Sequence, residues 1–363
     1  MDRHGHAESA AVARLDFLGE ADIGFGSSFG GLQIGGLSAI TWDPGRQQYY
    51  ALADDRSADA RFFTLHIALE DGALSPGDVT FTRVTTLATE SGAPFVPLSL
   101  DPEGLTLGRH GRLFLSSEGD AAALIDPFIA TLGRDGQLTG RFEVPAYFLP
   151  TADQSSGIRN NLAFEGLTVT PNGRTLFVGT EDALYQDGPV PTLEAGSPSR
   201  ILRYDTWSGA ETAEYVYLTE PLAAAPVPET RFATNGLVEL LALDNRGTLL
   251  ALERSFSTGV GNAIKLFLVD TRHATDVAGV EALAGAHYRP VEKTLLLDFD
   301  DLGLTLDNLE GMTLGPDLPD GRRSLVLVAD DNFSATQVTQ ILAFGLDLDR
   351  PGHAAQHGGH DIW

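Results

Sequence analysis

The chain has 363 residues, of which 43% are hydrophobic, so it is long enough to bury a sizeable core. Its 50 acidic and 24 basic residues give a formal net charge of −26, which argues against nucleic acid and anionic membranes as partners and favours divalent cations. Cysteine is absent, which excludes disulfides, thiolate metal sites and cysteine nucleophiles.

The two ends of the chain differ in composition from the rest. The first ten residues lack the apolar stretch of a signal peptide, with a removed leader left open, and no apolar run reaches the roughly 18 residues of a membrane helix. Residues 1–18 are interpreted as an N-terminal segment in which Ala13–Leu18 pairs with a strand near the end of the chain. The last 14 residues, 350–363, contain His353, His357 and His360 and predict a flexible polar tail, with weak transition-metal binding as the alternative.

A repeat with a period near seventy residues occupies the chain between these ends. Five segments read X-Gly-Leu or X-Gly-Met, a short strand, a turn rich in Gly, Pro, Asn or Asp, a second apolar strand and then an acid. Their glycines are separated by 68, 62, 70 and 75 residues and are Gly36, Gly104, Gly166, Gly236 and Gly311. Further strand-like stretches lie between them. Four-stranded units at this spacing predict an all-β fold, a single β-propeller over residues 19–349 with five blades or six.

Polar loops join the repeats. The longest are residues 91–98, 147–160 and 220–234, and we expect them to lie on one face of the ring rather than to link separate domains.

The acids of the repeat occur in phase. The opening positions are Gly35, Glu103, Glu165, Asn235 and Glu310, and the closing positions are Asp54, Glu118, Glu181, Glu253 and Asp330. Because a hairpin brings its first and last residues together, equivalent blades would gather these side chains on one face. Clustered carboxylates need a cation, and hard oxygen ligands without sulfur favour Ca²⁺. The predicted metal ligands are Asp54, Glu103, Glu118, Glu165, Glu181, Asp182, Glu310 and Asp330. The alternative is that the acids only mark strand ends and solvated turns.

Three stretches resemble a known family. RNNLAFEGLTVTPNGRTLFVGTEDAL, NGLVELLALDNRGTLLALERSF and LDNLEGMTLGPDLPDGRRSLVLVADDNFS look like signatures of the phytase-like proteins, described as "esterase-like activity of phytase". The likeness extends from about Leu32 to Phe344. A more distant similarity is to the β-propeller phytases, whose Glu-Gly repeats carry calcium ligands.

The resemblance implies calcium-dependent hydrolysis of a phosphorylated small molecule. It implies catalytic roles for Glu103, Glu165 and Glu310, and export to the periplasm or the cell exterior. Arginine forks bind phosphate oxygens, and the arginines beside the acidic positions, Arg56, Arg159 and Arg254, are the candidates for this role. The chain departs from the pattern at Gly35 and Asn235, which replace Glu, and it has only two lysines.

Two further functions stay open on the sequence alone. One is a metal-dependent lactonase or carboxylesterase, and the other is a calcium-stabilised propeller that acts only as an extracellular binding module. Arginines converging on the metal would favour phosphate, whereas an apolar wall would favour esters. The oligomeric state stays open as well.

Two local motifs match known functional patterns, but their sequence context argues against those functions. Ser28 stands in a Gly-x-Ser-x-Gly pattern, but it lies in a glycine-rich stretch without the strand and helix of a nucleophile elbow. The segment from Asp298 resembles an EF-hand loop, but leucines replace essential ligands.

Overall fold

A computed structural model describes residues 11–349 of the chain. The predicted histidine tail, residues 350–363, lies outside the described residues, as do the first ten residues of the N-terminal segment.

The described residues form five four-stranded antiparallel sheets arranged as the blades of one β-propeller, which confirms the predicted fold. Blade 1 contains β4 (Leu37–Asp43), β5 (Gln48–Ala53), β6 (Arg61–Ile67) and β7 (Val79–Thr86). Blade 2 contains β8 (Pro102–Leu107), β9 (Leu113–Ser117), β10 (Phe128–Leu132) and β11 (Leu138–Arg141). Blade 3 contains β12 (Phe164–Val169), β13 (Thr175–Thr180), β14 (Pro198–Asp205) and β15 (Glu211–Leu218). Blade 4 contains β16 (Ala233–Ala242), β17 (Thr248–Ser257), β18 (Gly261–Asp270) and β19 (Glu292–Asp298).

Blade 5 joins the two ends of the described chain. It contains β20 (Asn308–Asp317), β21 (Arg323–Asp330), β22 (Val338–Asp349) and, as its outermost strand, β1 (Ala11–Gly24). Strand β1 pairs with β22 along its whole length, with Asp16 opposite Gly345 and Phe17 opposite Phe344. The two segments that the sequence pairs therefore lie on adjacent strands. This pairing closes the ring.

Short elements lie outside the blades. Strands β2 (Ser28–Phe29) and β3 (Leu32–Gln33) form a small hairpin before blade 1. The segments Arg109–Gly111, Ala146–Phe148 and Phe299–Leu302 are 3₁₀ turns. Within residues 11–349, no helix is long and apolar enough to cross a membrane.

Each junction between neighbouring blades has its own hydrophobic core. For example, Phe63 of blade 1 and Val326 of blade 5 share one cluster, and Phe114 of blade 2 and Phe164 of blade 3 share another. Because a blade packs against a neighbour on each side, its middle strands are apolar on both faces. Strand β21, for instance, is buried from Ser324 to Asp330. The packing places the innermost strands β4, β8, β12, β16 and β20 around the axis.

Candidate metal centre

The opening of each innermost strand and the end of the strand paired with it meet at one end of the propeller axis, here called the acidic face. Eight carboxylates lie there close enough to repel one another, and most of them are buried. They are Asp54, Asp101, Glu103, Glu118, Glu165, Glu181, Glu310 and Asp330. The structure thus brings together seven of the eight predicted metal ligands.

A β-bulge brings three of these glutamates to the axis. The register of blades 2, 3 and 5 shifts by one residue across Glu103, Glu165 and Glu310, so that an extra residue stands outside the ladder. A bulge of this kind re-aims the side chain that it carries. In blades 1 and 4, where Glu is missing, the shift begins two residues after the opening position, at Leu37–Ala39 and Leu237–Glu239.

The glycine after each glutamate is required by close packing of the next blade. A Cβ atom on Gly104 would lie 2.5 Å from Cβ of Leu167 and 2.7 Å from the carbonyl oxygen of Glu165. A Cβ atom on Gly166 would lie 2.7 Å from the backbone nitrogen of Leu240. The repeated Glu-Gly therefore combines an axial carboxylate with a position where only hydrogen fits.

Two groups of carboxylates are close enough to share a cation. Asp54, Asp101 and Glu103 form one triad, and Glu103, Glu118 and Glu165 form the other, each with one oxygen per residue within 4.8 Å of the others. Glu103 belongs to both triads, which places two potential ion positions side by side. The first triad joins blades 1 and 2, and the second joins blades 2 and 3.

Arg254 supplies positive charge on the other side of the axis. Its guanidinium donates to Glu181, with 3.0 Å between Nη2 and Oε1, and also to Glu310 and Asn308. Burial alone would lower the pKa of Arg254, but the charges of Glu310 and Glu181 raise it, so the guanidinium stays protonated. Glu181 and Glu310 are therefore compensated within the protein. In the described part of the chain, Arg56 brings positive charge to the first triad by pairing with Asp101, and the charge of Arg254 acts on Glu165 of the second triad.

Burial and mutual repulsion raise the pKa values of the triad carboxyls. Burial is the larger cause for Glu103, Glu118 and Glu165, and neighbouring acids add to it. Burial also raises the pKa of Asp101, to about 6, although the charge of Arg56 opposes the shift. Without a bound cation, the protein must fold with these groups either protonated or repelling one another.

The donor set fits calcium. All candidate ligands of the triads are carboxylate oxygens, which hard divalent cations prefer, and the Oδ1 atom of Asp54 is buried without a hydrogen-bond partner among the described residues. Such an orphaned oxygen, pointing into a group of like charges, is the arrangement that a cation would satisfy.

The remaining predicted residues lie at the edge of the acidic face. Asp182 accepts a hydrogen bond from the backbone of Ala183, and burial raises its pKa to about 6. Arg159 donates to the carbonyls of Ala183 and Gly188, at 3.0 and 2.7 Å, and lies over the ring of Tyr185. These contacts hold the loop after β13. They also keep the Arg159 side chain outside the carboxylate triads.

Arg56 lies beside the first triad. Its side chain is 29% exposed and pairs with Asp101 at 3.3 Å and with Asp120 at 2.9 Å. The sequence prediction placed it next to the acids, and it does lie there.

The expectation that all closing acids point to the axis is wrong for blade 4. Glu253 instead faces the outer strands and accepts from Tyr217, Lys293 and Asn235 at 2.6, 2.6 and 3.0 Å. In the ladder of this blade Arg254 lies opposite Gly236, as Asp54 lies beside Gly36 in blade 1, so Arg254 and not Glu253 reaches the acidic face.

Sequence reasoning missed two acids. Asp101 stands two residues before Glu103, and the alternation of side chains along an extended chain would have indicated a shared face. Glu239 is buried near the axis and accepts from the backbone N–H groups of Leu167, Leu240 and Met312 at 3.0, 2.8 and 3.4 Å. Nothing in the sequence distinguishes it from the exposed acids.

An open cavity of about 570 Å³ adjoins the cluster. Glu181 and Arg254 form its inner wall, and Phe232 and Phe256, with ring centroids 6.3 Å apart, form an aromatic side. Amides and hydroxyls form most of the remaining lining, at Asn161, Thr234, Asn262, Thr305, Asn308, Asn332, Thr336 and Gln337, and Asp307, Leu162 and Leu306 complete it. A small molecule bound here would contact Glu181 and Arg254 directly.

Fold and site together define a five-bladed β-propeller with a carboxylate-rich centre at one end of its axis. The chain matches the family model "Phytase-like: Esterase-like activity of phytase" over residues 32–333 and belongs to that family.

Other likenesses are more limited. An uncharacterized secreted protein of Arthroderma benhamiae is 28% identical over 199 residues, which cover 47% of this chain and only 37% of that relative. The periplasmic gluconolactonase of Pseudomonas aeruginosa matches with a TM-score of 0.34 and 16% identity, covering 86% of this chain and 87% of that one. A GH43_12 protein from a capybara gut metagenome gives a TM-score of 0.42 and 10% identity, over 85% and 51% of the two chains.

Proposed function

We propose that this protein is an exported, calcium-dependent ester hydrolase that works at its acidic face. The observation that carries the proposal is the pair of carboxylate triads sharing Glu103, close to a cavity large enough for a small substrate. Calcium held there would polarise a substrate oxygen and lower the pKa of a water molecule. The secreted relative supports export.

The residues of the acidic face have different roles according to where they lie. Asp54, Asp101, Glu103, Glu118 and Glu165 hold the cation. Glu310, together with Glu181, fixes the guanidinium of Arg254 at the cavity wall. Glu181 also lines the cavity, and burial raises its pKa to about 7 against the opposing charge of Arg254, so it can exchange a proton near neutral pH.

The cavity lining favours a carboxylic ester or a lactone as the bond that is cleaved. Arg254 is the arginine that lines this cavity among the described residues, and carboxylates already engage it. The aromatic rings of Phe232 and Phe256 also line it. An uncharged ester needs no additional guanidinium, whereas a phosphate group would compete with Glu181 and Glu310 for Arg254.

Phosphate ester hydrolysis, as the resemblance implied, is the second candidate. It is favoured by Arg56, which lies at the first triad with part of its side chain exposed and can present N–H groups to an anion. Arg159 would contribute only if it left its backbone carbonyls.

The test is a calcium titration after treatment with a chelator. An aryl carboxylic ester, a lactone and a phosphate monoester are assayed in parallel, and the melting temperature is followed in the same samples. We expect activity to return with calcium on the carboxylic ester or lactone, and to be lost in Glu165→Gln but kept in the control Glu211→Gln. Activity confined to the phosphate ester would select the second candidate. A melting temperature that rises with calcium while every substrate stays intact would overturn the proposal and support a binding module.

A further inference from the structure

The face opposite the acidic centre carries a second cavity, here called the arginine pocket, of about 750 Å³. Four turns of blades 2 and 3 form it: the β8–β9 turn with Arg109, His110 and Arg112, the β10–β11 turn, the β12–β13 turn with Arg174, and the β14–β15 turn with Trp207. Its position at the far end of the strands separates it from the proposed catalytic site.

The floor of the pocket is apolar and its walls are positively charged. Phe114 and Leu132 are 2% and 1% exposed and belong to the cores of the neighbouring blade junctions. Among residues 11–349, the guanidinium groups of Arg109, Arg112 and Arg174 have no carboxylate within 4.0 Å. In a chain with a net charge of −26, three arginines without an ion pair in one cavity form a local positive field.

Backbone contacts hold the walls in place. A Cβ atom on Gly173 would lie 2.1 Å from Cγ of Arg109, so the absence of a side chain lets the arginine stem pack directly against the turn of the next blade. The hydroxyl of Thr206 donates to the carbonyl of Gly173 at 2.8 Å, and its backbone N–H donates to the carbonyl of Arg174 at 3.0 Å. The turn that carries Trp207 is thereby tied to the turn that carries Arg174.

The one acid that lines the pocket among residues 11–349, Asp205, offsets only part of the charge of the three arginines. Asp205 accepts hydrogen bonds from the backbone of Trp207 and Ser208 and from the Ser208 hydroxyl, at 3.1, 2.8 and 2.8 Å. The bonds from Ser208 lower the pKa of Asp205 most, with smaller contributions from Trp207 and Arg174. Its carboxylate shapes the tryptophan turn, and the indole of Trp207 remains 91% exposed at the pocket rim.

We propose that the arginine pocket binds a small ring-bearing anion, with a carboxylate or phosphate group on the arginines and the ring against Trp207. Guanidinium forks match both kinds of anion, and an exposed indole offers a flat surface to a sugar or a nucleobase. The cavity volume lies in the usual range for small-molecule sites.

The test uses the full-length protein with calcium present. Glucuronate, glucose 6-phosphate and AMP are titrated separately, with glucose as the neutral ring, and binding is followed by calorimetry and by tryptophan fluorescence. We expect at least one of the three anions to bind with a dissociation constant of about 1 mM or below, and glucose not to bind. The preferred anion identifies its source as a sugar acid, a sugar phosphate or a nucleotide.

Variants separate this site from the acidic face. Arg109→Gln/Arg112→Gln/Arg174→Gln should weaken binding at least tenfold, and Trp207→Phe should remove the fluorescence change. Arg83→Gln, an exposed arginine on β7, should change neither and serves as the matched control. No binding of any anion, or binding that survives in the triple variant, would overturn the proposal. The second result would place the anion elsewhere, while the calcium-dependent hydrolysis assay would be unaffected in either case.

Discussion

Arg254 occupies the acidic face at the point where the other blades place acids. It follows Glu253 directly, and the phase of the blade 4 hairpin decides which of the two reaches the axis. A buried arginine compensates Glu181 and Glu310 directly, and in the proposed function a bound cation would compensate the triads on the other side. This asymmetry is why we place the proposed calcium site in blades 1–3.

Glu165→Gln should have opposite effects with and without calcium. In the metal-free protein it removes a carboxyl whose pKa is raised by burial and by Glu118 and Glu181, so we expect stabilisation by about 1–3 kcal/mol. With calcium present, the variant loses a ligand and should gain less stability from the ion than the wild type does. Denaturant unfolding in chelator and in calcium measures both; destabilisation in chelator would contradict the account.

Glu239→Gln isolates a buried acid with a different role. Its carboxylate accepts hydrogen bonds from backbone N–H groups of blades 3, 4 and 5. In Gln, the side-chain NH₂ group would face these N–H donors and could not accept from them. We expect a loss of about 1–3 kcal/mol in the free energy of unfolding, with or without calcium. The exposed Glu194→Gln should be neutral. An unchanged stability of Glu239→Gln would mean that these bonds contribute nothing measurable.

At the element scale, the sequence predicted the strands and their grouping better than their phase. The Glu-Gly-Leu openings and the apolar second strands indicate hairpins because turn chemistry and alternation are local properties. The bulge is not local: its place in blades 2, 3 and 5 depends on the neighbouring blade crowding Gly104, Gly166 and Gly311. The pairing register likewise decides that Arg254, opposite Gly236, reaches the axis in place of Glu253, whereas Asp101 could have been found from local alternation with Glu103.

The closing strand β1 contains a glycine, Gly19, whose substitution tests how the ring is closed. The register shifts between Phe17 and Gly19, where φ is +134°, and a Cβ atom on Gly19 would lie 2.0 Å from the carbonyl oxygen of Leu74. Gly19→Ala should therefore destabilise the ring by about 1–3 kcal/mol. Gly24→Ala, on the same strand with nothing within 4 Å, should cost much less. Equal melting temperatures for the two variants would show that this contact does not constrain closure.

For the whole molecule, the acidic face predicts how stability depends on pH. The folded pKa values of Asp101 and Glu181 rise from 3.8 and 4.5 to about 6 and about 7, mainly through burial. The folded state then binds more protons than the unfolded state between about pH 4 and about pH 7. Without calcium, stability therefore falls as pH rises through this range, by about 1.4 kcal/mol per pH unit for each carboxyl that is protonated only in the folded state.

Calcium should reverse this trend because it competes with protons for the same oxygens. We expect the difference in melting temperature between calcium and chelator to grow from about pH 5 to about pH 8. A difference that is constant over this range would mean that calcium binds away from the buried carboxyls.

Calcium binding by calorimetry at about pH 8 tests the metal centre most directly. Wild type, Glu103→Gln and the control Glu211→Gln are titrated after the chelator has been removed. Because Glu103 belongs to both triads, we expect binding in the wild type and in Glu211→Gln, and its loss in Glu103→Gln. Absence of calcium binding in the wild type, or equal affinity in Glu103→Gln, would contradict the assignment of the metal centre to the acidic face.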